Sequence, residues 1–341
     1  MYRRIGLLQF LGEDYRAWVE SLEAIGPVPG CFALPPPDSA RRLLDHLGLD
    51  AEDREAVVNA LPTLTNEPEL WWLLERAYHS LLVEIGRNDA IYGRSPMLPD
   101  RLGVQGRCFW VFVFLAVVPD IRRWHLERGV PNDVSWETLA DLGRHMWLYR
   151  RRTGSAGLDT PWWIGLHFRG ALFALGRLQF NPYQLRTGPA GPLFWYDASA
   201  IQALGDEFRP GAPVLGAHIP ESGPLDPRSV DESLRMAGLF FDTHFPERAS
   251  RIVTCTSWLL DDQLLNYLPE SSNIVQFQRR FTLLPGALDS DNSTLQFVLG
   301  RVPIALSELQ PRTTLERALV KHIAEGGHWR NRTGWLRLPD A

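Results

Sequence analysis

Cysteine is scarce. Cys31, Cys108 and Cys255 are the only three in 341 residues, and they stand far apart. With no CxxC pair and no even set, a disulfide framework or a structural zinc finger is disfavoured, and a reducing compartment is expected. An excess of positive charge is missing too. The net charge is −5 with histidines neutral, so no global basic field is available to nucleic acid. Long hydrophobic runs are also missing. The longest, residues 108–118, is too short to span a bilayer and reads as a buried helix. The first residues, MYRRIGLLQFLGEDYRAW, carry two arginines and a few apolar side chains. Glu13 and Asp14 follow at once and no small-residue cleavage site is visible, so no signal peptide is read there and a cytoplasmic location is expected. There is no G-x-S-x-G, Walker or Rossmann motif, no internal repeat and no low-complexity segment.

Hydrophobic residues make up 45% and charged residues 22%, the balance of a globular chain. The length allows one large or two medium domains. Residues 1–155 read as helical. Trp18, Leu22 and Ile25 recur at helical spacing in 14–25. Shorter amphipathic stretches cover 39–47 and 52–61. Pro68 opens a longer one with Leu70, Trp71, Leu74, Ala77, Tyr78, Leu81 and Leu82 on a broad apolar face. Residues 105–127 are apolar on nearly all sides until Pro119, which breaks or kinks a helix. Asn132 or Ser135 starts another, ending in Arg150-Arg151-Arg152. Such a run usually suits the negative end of a helix dipole; the alternative is contact with an acidic ligand group.

Near Thr153-Gly154 the texture changes, which places a domain boundary at 155/156. Residues 161–169 and 171–183 read as two strands meeting at Arg169-Gly170. Alternation in 273–284 and 294–301 reads as a hairpin joined by turn residues. Thr313 and Glu316 form a capping box at the head of a helix, and the tail HWRNRTGWLRLP reads as extended.

Residues 211–269 organise this half. A short apolar strand, 214–219, runs into Pro220-Glu221-Ser222-Gly223-Pro224, which cannot extend it. Asp226-Pro227 starts a helix carrying Val230, Leu234, Ala237 and Phe241. A second strand follows at 252–258, and Asp261 caps a short helix. If the strands are parallel, the helix is a crossover, and a ligand can sit at their C-terminal ends with an anion near the helix start.

From residue 160 on, this element order resembles the GCN5-related N-acyltransferase (GNAT) fold. PESGPL, FFDTHFP, CTSWLLD, NIVQFQRRF and GGHWRNRTGW look like the C-terminal domain of a bacterial acyltransferase-like family with a helical N-terminal domain. The resemblance implies an α+β chain: a helical domain, 1–155, then a GNAT-like mixed sheet flanked by helices, 156–341. It implies acyl-CoA or acetyl-CoA as co-substrate, no resident metal, and transfer to an amine or hydroxyl of a small-molecule, peptide or protein acceptor lying between the two domains. It places the pantetheine between the strands at 214–219 and 252–257, beside Ala217, Ile219, Ser257 and Asn266. The pyrophosphate falls on 221–228, beside Ser222 and Gly223. The sequence departs from the family here. Of the usual glycine-rich loop only Gly223 remains, Pro224 removes an amide, and Glu221 would repel a phosphate. Either CoA sits differently or donor binding is lost, leaving an inert GNAT-like binding module.

His218, at the end of its strand, could accept a proton from the attacking group, since imidazole titrates near neutrality; a structural role is equally open to it. Glu221 is a second candidate base. Tyr267 resembles the tyrosine that protonates the departing thiolate in many GNAT enzymes. Cys255 has no basic partner nearby in sequence and reads as a buried thiol. His218-x-x-Glu221 with Asp242-x-His244 would suit a metal-dependent hydrolase, but the spacing matches no established ligand pattern. His322 and His328 flank a helix end, as structural residues or as lining of the acceptor site.

Overall fold

The computed structural model describes residues 2–87, 95–187, 195–196, 204–299 and 310–338. The chain divides into two compact units, Met1–Phe173 and Ala174–Ala341. The division lies beyond the expected break at 155/156 because residues 161–168 are a helix and pack with helices.

The first unit is helical among its described residues: α1 (Tyr2–Leu11), α2 (Arg16–Ile25), α3 (Pro37–His46), α4 (Ala51–Asn59), α5 (Pro68–Leu82), α6 (Gly103–Arg107), α7 (Phe109–Glu127), α8 (Asn132–Leu139), α9 (Asp141–Thr153) and α10 (Pro161–Phe168). Its core is built around α7. Phe109, Val111, Phe112, Val113, Phe114 and Leu115 are all buried, and burial on every side is what an apolar run without a polar face requires. The stretch Asp100–Glu127 is long and apolar enough to cross a membrane by composition; here it is the axis of a packed core. Pro119 lies inside α7 without ending it.

The expected strand at 161–169 is α10. Pro161 occupies its first turn, where the missing N–H removes no bond. Pro161, Ile164, His167 and Phe168 then return to the buried side with helical spacing. The three arginines close α9 and are taken up within the unit. Arg150 Nη1 donates to Glu52 Oε2 at 2.6 Å and Nε to Asp53 Oδ1 at 3.0 Å, and Nη2 bonds Asp50. Arg152 pairs with Asp159, and Arg151 stacks on Trp147.

Two glycines let α9 touch the turn after α3. Gly48 has φ +79°, and a Cβ on Gly143 would lie 2.0 Å from the Gly48 carbonyl oxygen. The Gly143 N–H donates to Leu47 O at 3.0 Å. Neither side is a flexible side chain, so nothing can yield.

Buried polar groups cross-link α7–α10. His125 Nδ1 lies 2.7 Å from Ser135 Oγ. Asp141 accepts from Arg144 Nε at 2.7 Å and lies 3.2 Å from His167 Nε2. Burial works against the Asp141 carboxylate, but His167, His145 and Arg144 outweigh it and hold the group below the usual carboxylate range. Desolvation lowers His167 to about 4 against the attraction of Asp141, and lowers His125 to about 3 with help from Arg122.

In the second unit one mixed sheet runs in the order β1 (Phe173–Leu175), β2 (Leu178–Gln184), β5 (Pro213–His218), β6 (Ile252–Ser257), β9 (Arg330–Arg337), β7 (Thr282–Leu283), with β8 (Leu288–Asp289) also on β9. The two-residue strands β3 (Arg186–Thr187) and β4 (Trp195–Tyr196) pair separately. Helix α11 (Pro227–His244) crosses from β5 to β6, which pair in parallel. The expected single strand at 171–183 is the hairpin β1–β2, turned at Gly176-Arg177 rather than at Arg169-Gly170. The expected strand at 273–284 is α12 (Asn273–Gln278) followed by the short β7, and that at 294–301 is α13 (Asp291–Leu299); residues 300 and 301 lie outside the described residues. Ser272 caps α12 by accepting from Val275 N. Phe277 and Phe281 are buried together, four apart as on a helix face rather than two apart as on a strand. The capping box at α14 (Thr314–Ala324) is present. The tail is β9, a central strand paired with β6 from Arg332 to Arg337.

We expect Gly143→Ala to destabilise the first unit by more than about 3 kcal/mol, or to prevent folding, because backbone must move; urea unfolding of the purified variant measures this. Acid should weaken the protein well above the carboxylate range. The unfolded histidines protonate near 6.5, whereas native His167 and His125 do so only near 4 and 3. Their contribution is therefore complete above pH ~6.5 and falls as pH drops, by about 1.4 kcal/mol per pH unit for each. Calorimetric melts from pH 7 to pH 5 should show a falling Tm, and His125→Asn should flatten the fall.

Candidate functional site

Strands β5 and β6 are neighbours for only a short distance. Their register covers Leu215↔Val253 and Gly216↔Thr254. Beyond those pairs, Ala217 and His218 on one strand and Cys255, Thr256 and Ser257 on the other do not ladder to each other. Each strand is fully paired on its outer side. β5 runs antiparallel to β2 from Gln184↔Pro213 to Gln179↔His218, and β6 to β9 from Ile252↔Arg337 to Ser257↔Arg332. The result is a slot at the carboxyl ends of two parallel strands, opening past their last register pair. Such a slot suits a thin ligand bearing amides of its own.

One face of the sheet is polar beside this slot. The register and the period of two put Gln179 and Asn181 of β2, Gly216 and His218 of β5, Thr254 and Thr256 of β6 and Thr333 of β9 on the same side. Gln179, Asn181 and Thr254 are buried, an unusual density of polar groups for a central sheet. Asn181 and Thr254 find partners on the same face. His218 Nε2 donates to Asn181 Oδ1 at 2.7 Å, Tyr183 Oη bonds Thr254 Oγ1, and Thr256 Oγ1 lies 2.9 Å from Thr333 Oγ1. Since an amide oxygen only accepts, the His218 ring carries a hydrogen on Nε2 in this contact. Gly216 makes the arrangement fit. A Cβ there would meet Asn181 Oδ1 at 2.4 Å and the Tyr183 ring at 3.0 Å. Sequence reading selected His218 but not Asn181 or Gly216. The Asn181-Pro182 pair inside a strand-like run was the available signal.

The turn after β5 carries Glu221, Ser222 and Gly223, all exposed, with Gly223 at φ +110°. It leads into α11, whose first turn is already occupied. Asp226 Oδ1 accepts from both Arg228 N and Ser229 N at 3.1 Å, Pro227 has no N–H, and Val230 N bonds Asp226 O. The anion site expected at this helix start is filled by the protein's own carboxylate. Ser222 N is likewise turned back onto Pro220 O.

The other expected residues are placed as follows. Ala217 is buried in β5, and Ile219 is half-buried just past it. Ser257 ends β6, and its Oγ accepts from Leu259 N at 3.1 Å. Asn266 is exposed at the end of the short 3-10 turn Asp262–Asn266. Tyr267 follows it, with Oη 3.0 Å from His322 Nδ1 and 3.4 Å from Glu325 Oε2. Partial burial and Glu325 raise its phenol above the ordinary value, so it holds its proton. Cys255 is buried in β6, with its thiol pushed up to about 12 by desolvation, and is no nucleophile. Among the described residues no three His, Cys, Asp or Glu side chains gather as a metal-ligand set. Asp261 anchors the end of the slot strand: fully buried, it accepts from Gln263 N and from Arg330 N at the start of β9.

Comparison with known proteins agrees with this geometry. Residues 38–170 match the N-acyltransferase N-terminal domain and residues 172–336 the GNAT-like C-terminal domain. Curated protein sequences give no match. Among solved structures, an acyltransferase in complex with decanoyl-CoA and teicoplanin is 42% identical, with a TM-score of 0.86, covering 99% of this chain and 99% of that one. An acyltransferase in complex with decanoyl-CoA is 41% identical, with a TM-score of 0.87, over 98% of this chain and 99% of that one. A tryptophan-to-alanine mutant of an acyltransferase, in complex with octanoyl-CoA, is 40% identical, with a TM-score of 0.87 over the same shares. With both halves matched in order and such relatives aligned over nearly its whole length, the chain belongs to the family of acyltransferases that join an N-acyltransferase N-terminal domain to a GNAT-like C-terminal domain.

Proposed function

We propose that this acyltransferase takes a medium-chain acyl group from acyl-CoA and places it on an amine or hydroxyl of a glycopeptide-type acceptor. The observation that carries the donor half is the parting of β5 and β6 after Gly216 and Thr254. The pantetheine arm has amide groups, and the unladdered edges at residues 217–219 and 255–257 are able to meet them. The acyl length and the acceptor class rest on the relatives, which hold octanoyl-CoA, decanoyl-CoA and teicoplanin.

His218 is the proton acceptor in this reading. Asn181 holds its ring, and the ring takes the proton as the acceptor's nitrogen or oxygen attacks the thioester carbon. Glu221, exposed on the adjoining turn, serves as a relay through water rather than as the base itself. The carbon–sulfur bond then breaks, and the thiolate takes a proton from Tyr267, whose phenol is held above its ordinary value by desolvation and by Glu325. The inert-module alternative rested on the missing glycine-rich loop alone; the open slot answers it, since donor binding does not require that loop to be the whole site.

Titration calorimetry with decanoyl-CoA tests the reading: saturable binding is expected, and none at millimolar donor would sink it. His218→Ala should bind donor normally while kcat falls by about 10²-fold or more. Asn181→Leu should lower kcat by roughly tenfold to a hundredfold, with donor affinity unchanged and the acidic limb of the pH profile displaced, because the base is no longer held by its partner. Loss of donor binding in Asn181→Leu would show a structural role instead.

A further inference from the structure

The turn that receives the phosphates in this reading is held by one side chain from another part of the sheet. Arg177 sits on the Gly176-Arg177 turn between β1 and β2. Its Nε donates to Pro224 O at 2.9 Å, Nη1 to Pro220 O at 3.1 Å and Nη2 to Gly223 O at 2.7 Å. Three carbonyls of the segment 220–224 thus converge on one guanidinium. Within the segment itself Ser222 N bonds Pro220 O. Pro220 and Pro224 lack amide donors, and Gly223 has φ +110°, open to glycine and strained for other residues.

Peptide geometry gives the clamp a consequence. In a trans peptide the carbonyl and the following N–H point opposite ways, and no cis peptide occurs among the described residues. Carbonyls of Pro220 and Pro224 drawn onto Arg177 therefore aim the N–H groups of Glu221 and Leu225 away from it. The guanidinium also fixes a positive charge against a turn whose own charged side chain is Glu221. Only a planar fork with several donors at set angles reaches three carbonyls at once; an ammonium does not.

We propose that Arg177 is the positioning residue of the pyrophosphate-recognition turn, doing by a side-chain clamp what the family's glycine-rich loop does by successive amides. The inference rests on the acyl-CoA reading of the slot and concerns the diphosphate alone, not the acyl chain or the acceptor. It also explains how a turn with Pro224 and without the usual glycines remains competent. Asp226 already fills the start of α11, so the turn and its clamp are left to meet the phosphates.

The test compares decanoyl-CoA with decanoyl-pantetheine, which lacks the diphosphate, as donors to teicoplanin, alongside calorimetry of CoA binding. Wild type, Arg177→Gln and Arg177→Lys are measured. For Arg177→Gln the KM for decanoyl-CoA should rise at least tenfold and kcat should stay within threefold. The KM for decanoyl-pantetheine should be unchanged. Arg177→Lys, which keeps the charge and loses the fork, should fall between, and it carries the same comparison if the Gln variant does not fold. Equal losses on both donors, or none on either, overturn the proposal. Failure of the wild type to bind CoA would instead remove the acyl-CoA reading on which it stands.

Discussion

The slot depends on two strands that are each held along their outer sides. β5 is laddered to β2 along its whole length and β6 to β9 along its whole length, yet they share only two register pairs with each other. Each backbone hydrogen bond is worth about 1 kcal/mol net, so each outer ladder anchors its strand independently of the other strand. Where the shared register ends, at Gly216 and Thr254, each strand continues on its own outer ladder, and the opening is a feature of the folded sheet.

The polar face follows from the same frame. A sheet that ends in an open slot has backbone and side chains needing partners there. The sequence supplies them as cross-strand pairs: His218 with Asn181, Tyr183 with Thr254, Thr256 with Thr333. Gly216 is the pivot, because any Cβ would push Asn181 and Tyr183 off the strand. The other face carries Phe180, Leu215, Ala217, Val253 and Cys255, all buried. One face is thus spent on core, and the other is left free for chemistry.

How much of this was legible in the sequence depends on distance along the chain. The β5–turn–α11–β6 crossover reads correctly because strand, proline turn, Asp226 cap and second strand are contiguous, and each leaves its own residue signature. The failures at 161–169, 273–284 and 294–301 share a cause. Aromatic and β-branched residues raise strand expectation, but their preference is for a packed surface rather than a backbone shape, and Pro161 and the Ser272 cap had the final say. The candidate site is legible where its residues are close in sequence, as with His218 at the end of its strand. It is illegible where a partner arrives from another strand: Asn181 is 37 residues from His218, and Arg177 is 46 from Gly223. No spacing rule links such pairs; only the β2–β5 register does.

The start of α11 shows why a local reading can be right about structure and wrong about use. Asp226-Pro227 is a strong helix start, and the helix forms there. The features that make it strong also empty it of function: Pro227 contributes no N–H, and Asp226 takes the Arg228 and Ser229 amides that a phosphate would need. A second anion at the same spot would face the Asp226 carboxylate at close range, and at a few ångströms that repulsion cancels what a helix terminus offers, about half a unit of positive charge. The better the cap, the worse the anion site. On the proposed reading, phosphate recognition therefore falls to the turn before the helix and to Arg177, which holds that turn.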